Sequence, residues 1–340
     1  MYDLAVFIGR FAPPHLGHLE VIKRALEQAE EMAIFVGSAN RSPSIRNPFP
    51  VAFRINMIRS MLADCGVSDA LHRVHLFELD DYLYNDYAWN ADITASVAEF
   101  FPHAKSIALV GHSKDHSSYY LREFPQWKAI EIPNYKGFNS TNIRERYLDK
   151  FVILHDQVHP AVDKLLDDWE LTPEFDHVSE EYAAIKAYKD QWKHTPFPVT
   201  FNTVDGVVTQ GGHILVVERG DWPGKGLIAL PGGFLDPGET LEQAIVRELN
   251  EETGLKVSKR TLQTCVVKRK TYDDPHRSSR GRTITHAFHF DLDRGPDLAL
   301  PKVKGGSDAK HAYWLPIGHM NPLKMLEDHY FIVNDMLNMA

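Results

Sequence analysis

Apolar and polar positions alternate in two different rhythms along this chain. Residues 4–8, Leu-Ala-Val-Phe-Ile, form an unbroken apolar run, as expected of a strand buried on both faces. Leu19, Ile22, Leu26 and Ala29 then recur at helical spacing. Further short apolar runs at 33–36, 74–77, 107–110 and 129–132 predict strands, and 50–64, 86–101 and 114–123 read as the helices between them. Such alternation predicts a parallel sheet covered on both faces, with ligands at the carboxyl ends of its strands. Residues 158–171 and 179–192 predict two amphipathic helices separated by Thr172 and Pro173. The proline-rich stretch 194–198 then breaks the pattern, so we place a boundary near 190, giving units 1–190 and 191–340.

Beyond that break the rhythm changes. Strand-like runs occupy 199–208, 214–218, 261–268, 283–292 and 312–315, and the run 228–230 leads into a distinctive stretch. Between them lies one strongly signed helix. Asp236, Pro237 and Gly238 mark a turn, Thr240 and Gln243 form a capping box, and Gly254 is placed to end the helix. Leu241, Ile245 and Leu249 mark its buried stripe. A step of about 100° per residue puts Glu248 and Glu252 inside the same inward arc. Glu251 falls at its edge, within reach of Arg247 four residues earlier. A solvated acidic face would set the acids opposite the leucines. Inward carboxylates repel one another in poor solvent and need a counter-charge, and a hard divalent cation with oxygen ligands is the obvious partner.

Gly233, Glu239, Arg247, Glu248, Leu249, Glu251, Glu252, Gly254 and Leu255 fill every fixed position of G-x5-E-x7-R-E-U-x-E-E-x-G-U, where U is a bulky aliphatic residue. This stretch is identified as a Nudix box. The resemblance implies an α/β/α sandwich with a mixed sheet and hydrolysis of a nucleoside diphosphate linked to another group, assisted by Mg²⁺ or Mn²⁺. It also makes Glu248, Glu251 and Glu252 the metal ligands, with Glu251 and Glu252 counted among the catalytic residues. The segment 273–282 resembles the D-P-R-G-R region of Nudix enzymes acting on ADP-ribose. Arg280 and Arg282 there are either diphosphate partners or members of a basic surface loop. Asp308 is a candidate general base.

In the first half, the run 4–8 leads into Gly9, Arg10, Phe11 and on to His15, Gly17 and His18, followed at once by a helix. Two imidazoles three residues apart at a helix N-terminus sit where backbone N–H groups already favour anions, and Gly17 lets the backbone approach a phosphate. Ser140 or Thr141 would cap a second helix, from about Asn142. G-R-F-x-P-x-H-x-G-H with S-T-x-x-R resembles the nucleotidyltransferase superfamily, and more narrowly the archaeal-type nicotinamide mononucleotide (NMN) adenylyltransferases with their Rossmann-like fold. The likeness implies that His15, His18 and Arg144 are catalytic, with Arg144 offering its fork of donors to the leaving pyrophosphate. It also implies a substrate-binding region around Ser38, Asn40, Arg41, Arg46, Asn47 and Arg54. Trp89 either stacks on a nicotinamide ring or belongs to the core. The loop after Gly111 either binds adenine or ribose or is an ordinary turn.

The totals narrow the picture. The 340 residues suffice for two domains of ordinary size, and 44% hydrophobic with 24% charged residues is the balance of a soluble globular protein. A net charge of −9 argues against broad nucleic-acid binding. No apolar run reaches the roughly 18 residues of a membrane span. Cys65 and Cys265 lack metal or redox spacing and read as buried thiols in the cytoplasm. Together the two resemblances imply a bifunctional enzyme of NAD metabolism. One half would join ATP and NMN to give NAD, and the other would cleave ADP-ribose. Other substrates on the same folds, such as nicotinate mononucleotide, or an ADP-ribose-sensing regulator are the rival readings. The sequence leaves homo-oligomerisation open.

Overall fold

The computed structural model describes residues 1–67, 69–111, 123–133, 135–149, 156–294, 299–306 and 309–339. It divides into two compact units, Met1–Tyr182 and Ala183–Ala340. Most of the expected helix 114–123 and Asp308 lie outside the described residues.

The first unit is built on a parallel sheet of order β3-β2-β1-β4-β5. Its strands are β1 (Tyr2–Gly9), β2 (Ala29–Val36), β3 (Val74–Glu78), β4 (Ile107–Gly111) and β5 (Lys128–Glu131). β1 is the central strand, pairing Ala5 with Met32 on one side and Leu4 with Ile107 on the other. Its alternate residues feed two cores. Ala5 and Phe7 join Ile34 and the buried residues of α1 (Leu16–Leu26) and α2 (Val51–Ala63). Leu4, Val6 and Ile8 join Phe35 and, from α4 (Asp86–Phe100), Ile93 and Val97. That two-sided burial is why residues 4–8 read as an unbroken apolar run. The chain goes from β1 to β2 and β3 on one side, then returns to β4 on the other. The crevice where the order reverses therefore opens at the carboxyl ends of β1 and β4. A short helix, α3 (Ala70–Arg73), precedes β3 and carries no periodic signal.

Two boundaries in this unit differ from expectation. α5 (Ser140–Leu148) is capped by neither Ser140 nor Thr141: the Asn139 side chain accepts the Asn142 N–H at 2.9 Å. After α6 (Pro160–Trp169), the next helix, α7 (Pro173–Asp190), begins six residues earlier than 179. Thr172 Oγ1 accepts the Phe175 N–H at 3.3 Å, and Pro173 presets the first-turn φ while lacking a donor that would go unused there. The turn signal was the start of a helix. Val162, Leu166, Phe175 and Val178 enter the core shared with α1 and α2.

The second unit holds a mixed sheet of order β10-β11-β6-β7-β12. Its strands are β6 (Thr200–Gln210), β7 (His213–Arg219), β10 (Val266–Tyr272), β11 (Arg282–Asp291) and β12 (Ala309–Pro316). Two short strands, β8 (Ile228–Ala229) and β9 (Gly232–Phe234), pair with β7 and β6. Only the β6–β11 pair among these is parallel. α8 (Leu241–Thr253) buries Ala244, Ile245 and Leu249 against Val204, Val208, Leu215 and Phe288. Residues 261–265 do not form a strand. They belong to α9 (Lys259–Cys265), because Ser258 Oγ accepts the Thr261 N–H at 3.0 Å and Leu262 and Cys265 are buried at helical spacing. A last helix, α10 (His329–Leu337), closes the unit. Both cysteines are buried and unbridged. Among the described residues no helix is long and apolar enough to cross a membrane.

Candidate active sites

The first site forms where β1 ends. Gly9 lies against the Phe11 ring, from which a Cβ would stand 3.1 Å. Phe11 turns the chain with φ +51° and is fully buried, its ring centroid 4.8 Å from that of His18. His15 is the N-cap of α1: its Nδ1 accepts the Gly17 N–H at 3.1 Å, while His18 Nδ1 accepts the His15 N–H at 3.1 Å. Each neutral ring therefore carries its proton on Nε2. The two rings stack with centroids 3.8 Å apart. A Cβ on Gly17 would stand 2.9 Å from the His15 ring, so the glycine is required for the stack.

Arginines surround this loop. Arg54 is fully buried and donates to four backbone carbonyls: Phe49 at 3.1 Å, Arg10 at 2.7 Å, Gly37 at 2.6 Å and Ser38 at 3.0 Å. It fixes the loops after β1 and β2 to one another, so its role differs from the substrate contact implied by the resemblance. Arg144 is likewise buried, with Nε on the Ile45 carbonyl at 2.8 Å and Nη1 on Ala12 at 2.9 Å and Ser140 at 3.4 Å. The fork expected to face pyrophosphate is thus largely committed to backbone. Burial, followed by repulsion from Arg10 and Arg46, pulls the Arg144 pKa down to about 10. Burial also lowers Arg10, with Arg41 adding to the shift against the pull of Asp81.

The loop after β2 completes the site. Ser38, buried with φ +55°, donates to Asp81 Oδ1 at 3.1 Å. Asn40 exchanges two hydrogen bonds with the Asp81 backbone. Asn47 donates to the Ser38 and Arg41 carbonyls at 3.4 Å each, while its buried Oδ1 finds no donor among the described residues. Ser140 Oγ donates to the Pro13 carbonyl at 3.1 Å, joining the start of α5 to the β1 loop; Thr141 is exposed. Trp89 is half-buried and packs near Phe124, 5.9 Å between centroids, so the core reading fits it better. Gly111 ends β4, and the rest of its loop lies outside the described residues.

The second site lies between β9 and α8. Thr240 and Gln243 form the expected capping box, and Gly254 ends the helix with φ +59°. Glu248 and Glu252 are buried and Glu251 is exposed, as the 100° stepping required. The two buried carboxylates meet adjacent glycines. Gly232 N–H donates to Glu252 Oε2 at 2.9 Å, and a Cβ on Gly233 would collide with Glu248 Oε1. Burial, with repulsion from Glu248 and Asp205, pushes the Glu252 carboxyl up to about 7 against the Gly232 N–H and Arg219, which favour the charged form. Glu248 is raised by burial too. Arg247 supplies counter-charge: it reaches Glu239 at 2.7 Å, Glu248 at 2.8 Å, Glu251 at 3.1 Å and the Phe234 carbonyl at 3.0 Å.

Among the described residues, no three His, Cys, Asp or Glu side chains converge closely enough to enclose an ion. The donor set is nonetheless that of a hard cation: two buried carboxylates beside a glycine cradle, with a third at the rim. Arg280 stacks over Phe234 with its guanidinium 4.9 Å from the ring centroid. Arg282 is held by Asp273, through its backbone carbonyl and, at 3.7 Å, its carboxylate.

The cytidylyltransferase-like family matches residues 6–187, and the NUDIX domain family matches residues 199–335. A nicotinamide/nicotinic acid mononucleotide adenylyltransferase of Acinetobacter baylyi is 38% identical over 153 residues, 45% of this chain and 79% of that protein. An ADP-ribose pyrophosphatase of Methanocaldococcus jannaschii is 37% identical over 134 residues, 39% of this chain and 71% of that protein. One solved structure spans both halves. It is a bifunctional NMN adenylyltransferase/ADP-ribose pyrophosphatase of Francisella tularensis complexed with AMP and a manganese ion, 38% identical, covering 99% of each chain with a TM-score of 0.92. The chain belongs to the bifunctional NMN adenylyltransferase/ADP-ribose pyrophosphatase family.

Sequence reasoning missed one group of residues in the pyrophosphatase half of this family member. Arg277, inside the stretch 273–282 but not singled out there, is buried and pairs with Asp328 through two bonds of 2.9 and 3.0 Å. Asp205 and His329 lie beside them, also buried. The available signal was a lone Asp in an otherwise apolar and β-branched stretch of β6, which needs a buried partner.

Proposed function

We propose that residues 1–190 transfer the adenylyl group of ATP to NMN, giving NAD and pyrophosphate, and that residues 191–340 hydrolyse ADP-ribose to AMP and ribose 5-phosphate. The observation that carries this reading is the likeness to the Francisella bifunctional structure along 99% of both chains, with both motifs filled. In the first reaction the NMN phosphate oxygen attacks the α-phosphorus of ATP, and the bond to the β-phosphate breaks. Charge then builds on the α-phosphoryl oxygens and the departing pyrophosphate. His15 and His18, each with Nε2 as the donating nitrogen, and the α1 N-terminus stabilise that charge. Arg10, Arg46 and Arg144 lend positive potential, and Arg144 also fixes the Ala12 and Ile45 backbone. Ser38, Asn40 and Asn47 shape the pocket floor for the nucleotide.

In the hydrolase half, Glu248, Glu251 and Glu252 would hold Mg²⁺ or Mn²⁺, a choice supported by the manganese ion reported with the Francisella protein. Bound there, the ion would supply Lewis acidity, polarising the diphosphate and lowering the pKa of an attacking water. Gly232 and Gly233 admit the carboxylates, Arg247 orients Glu248 and Glu251, and Arg280 stands on Phe234 as a diphosphate partner. The name of the Acinetobacter relative favours a second acceptor, nicotinate mononucleotide, in the first half. Two buried unbridged thiols fit a cytoplasmic enzyme.

The test is product analysis of the intact chain given ATP with NMN, then ADP-ribose, each with Mg²⁺ and with Mn²⁺. Failure to form NAD overturns the first assignment. Tight ADP-ribose binding without AMP release overturns the second and favours a sensor.

A further inference from the structure

Behind β9 lies a cluster of buried polar groups that neither catalytic motif includes. Asp328 and Thr285 are fully buried, and Arg277, Asp205 and His329 are 4%, 6% and 6% exposed. Arg277 grips Asp328 through two bonds and stands 3.8 Å from Asp205 Oδ2. Thr285 Oγ1 donates to that same oxygen at 2.5 Å. His329 places Nε2 3.9 Å from Asp205 Oδ1, while its Nδ1 accepts the Leu230 N–H at 2.9 Å. Burial keeps this imidazole neutral, lowering its pKa below the ordinary value. An Nδ1 that accepts fixes the tautomer, with the proton on Nε2 turned toward Asp205.

Such a cluster is expensive to bury, and an apolar packing of the same volume would often be more stable. Its position relative to Glu252 suggests a reason for keeping it. Asp205 is the register partner of Gly232 in the β6–β9 pair, and a Cβ on Gly232 would come within 2.9 Å of both Asp205 Cα and Oδ1. One side of the stretch 230–232 is thus held by His329 and Asp205. On its other side Gly232 N–H holds Glu252 Oε2. Pro231 cannot donate, and its carbonyl accepts the Gly206 N–H at 2.8 Å, so the stretch is pinned at successive residues.

We propose that His329, Asp205, Arg277 and Asp328 form a positioning network for the hydrolytic site, fixing the 230–232 backbone and, through Gly232 N–H, the carboxylate of Glu252. The last helix is then part of the hydrolase machinery. The inference rests on the metal-dependent hydrolase reading above, and its test separates the two.

Direct Mn²⁺ binding to the full chain, read from the electron paramagnetic resonance of free Mn²⁺, is measured beside both activities and the thermal midpoint. His329→Leu removes the acceptor for Leu230 N–H. It should weaken Mn²⁺ binding and lower kcat for ADP-ribose hydrolysis by roughly 10-fold or more, with KM and adenylyl transfer little changed. His329→Asn offers an Oδ1 near the lost Nδ1 and should recover Mn²⁺ affinity to within about 3-fold of the parent, a rescue that positioning requires. Thr285→Val deletes one bond to Asp205 without changing bulk and should weaken Mn²⁺ binding by about 3-fold. A lowered thermal midpoint with unchanged Mn²⁺ binding in both His329→Leu and Thr285→Val would overturn the proposal, as would an Asn variant no better than Leu. Should His329→Leu fail to fold, Thr285→Val decides alone. A parent protein that binds Mn²⁺ yet leaves ADP-ribose intact would sink the hydrolase reading, while the binding measurements would still judge the network.

Discussion

The two sites are electrical opposites. Around the β1 loop, arginines are buried among one another, and Arg10 and Arg144 are pulled toward losing their protons by burial and by neighbouring guanidinium groups. Between β9 and α8, carboxylates are buried among one another, and Glu248 and Glu252 are pushed toward gaining protons. The first cluster suits an anion and the second a cation. A phosphate ester can be gripped directly by imidazole, guanidinium and a helix N-terminus, or indirectly through a metal ion held by acids. On the reading proposed above, this chain carries both solutions.

The sharpest way to break the contrast is to delete one element from each site. His18→Ala should reduce adenylyl transfer on the order of 10²–10³-fold and leave ADP-ribose hydrolysis unchanged. Glu252→Gln should do the reverse. Steady-state assays of both activities on each variant check this, and loss of both from one change would show that the units are not independent. Next in size come the two glycines packed against His15 and Glu248. Gly17→Ala presses on the His15 ring and Gly233→Ala on Glu248. Each should cost its own activity roughly 10- to 100-fold, the scale of a misplacement near 1 Å.

A smaller effect sharpens the electrical argument. Glu252 titrates near 7 when folded against an ordinary value of 4.5. The folded state therefore holds the extra proton between those values, and metal-free stability should fall as pH rises through that window, then level off. The total is roughly 3 kcal/mol. Melting curves from pH 4.5 to 8 should show the decline in the parent, lose it in Glu252→Gln, and lose it in the parent at saturating Mn²⁺. Smallest of all, Thr240→Ala removes one cap from α8 and should cost about 1 kcal/mol, seen as a modest drop in the unfolding midpoint with both sites still working.

The sequence revealed those parts of the fold where local chemistry and tertiary burial agree. The run 4–8 read as a central strand because both of its faces are buried, and α8 was legible residue by residue because caps, stripe and acids all obey one period. The failures came where a short polar signal outweighed composition. Ser258 turned a β-branched stretch into α9, Thr172 and Pro173 started a helix where they had looked like a break, and Asn139 took the cap from Ser140 and Thr141. Site roles followed the same division. The histidines and glutamates could be singled out as candidates by spacing, but nothing local distinguishes Arg54, which holds carbonyls, from an arginine that holds phosphate. The Arg277–Asp328 pair is separated by 51 residues, and only the folded chain brings its members together.

Arg54 has a consequence for anyone wishing to redirect the first unit toward a different nucleotide. One guanidinium stitches together carbonyls that belong to the turn after β1, the turn after β2 and the entry to α2. A lysine, with a single nitrogen, could not reach all of them. Those turns therefore form one rigid casting, and a reshaped pocket has to be carved from side chains mounted on it, with the casting itself left untouched.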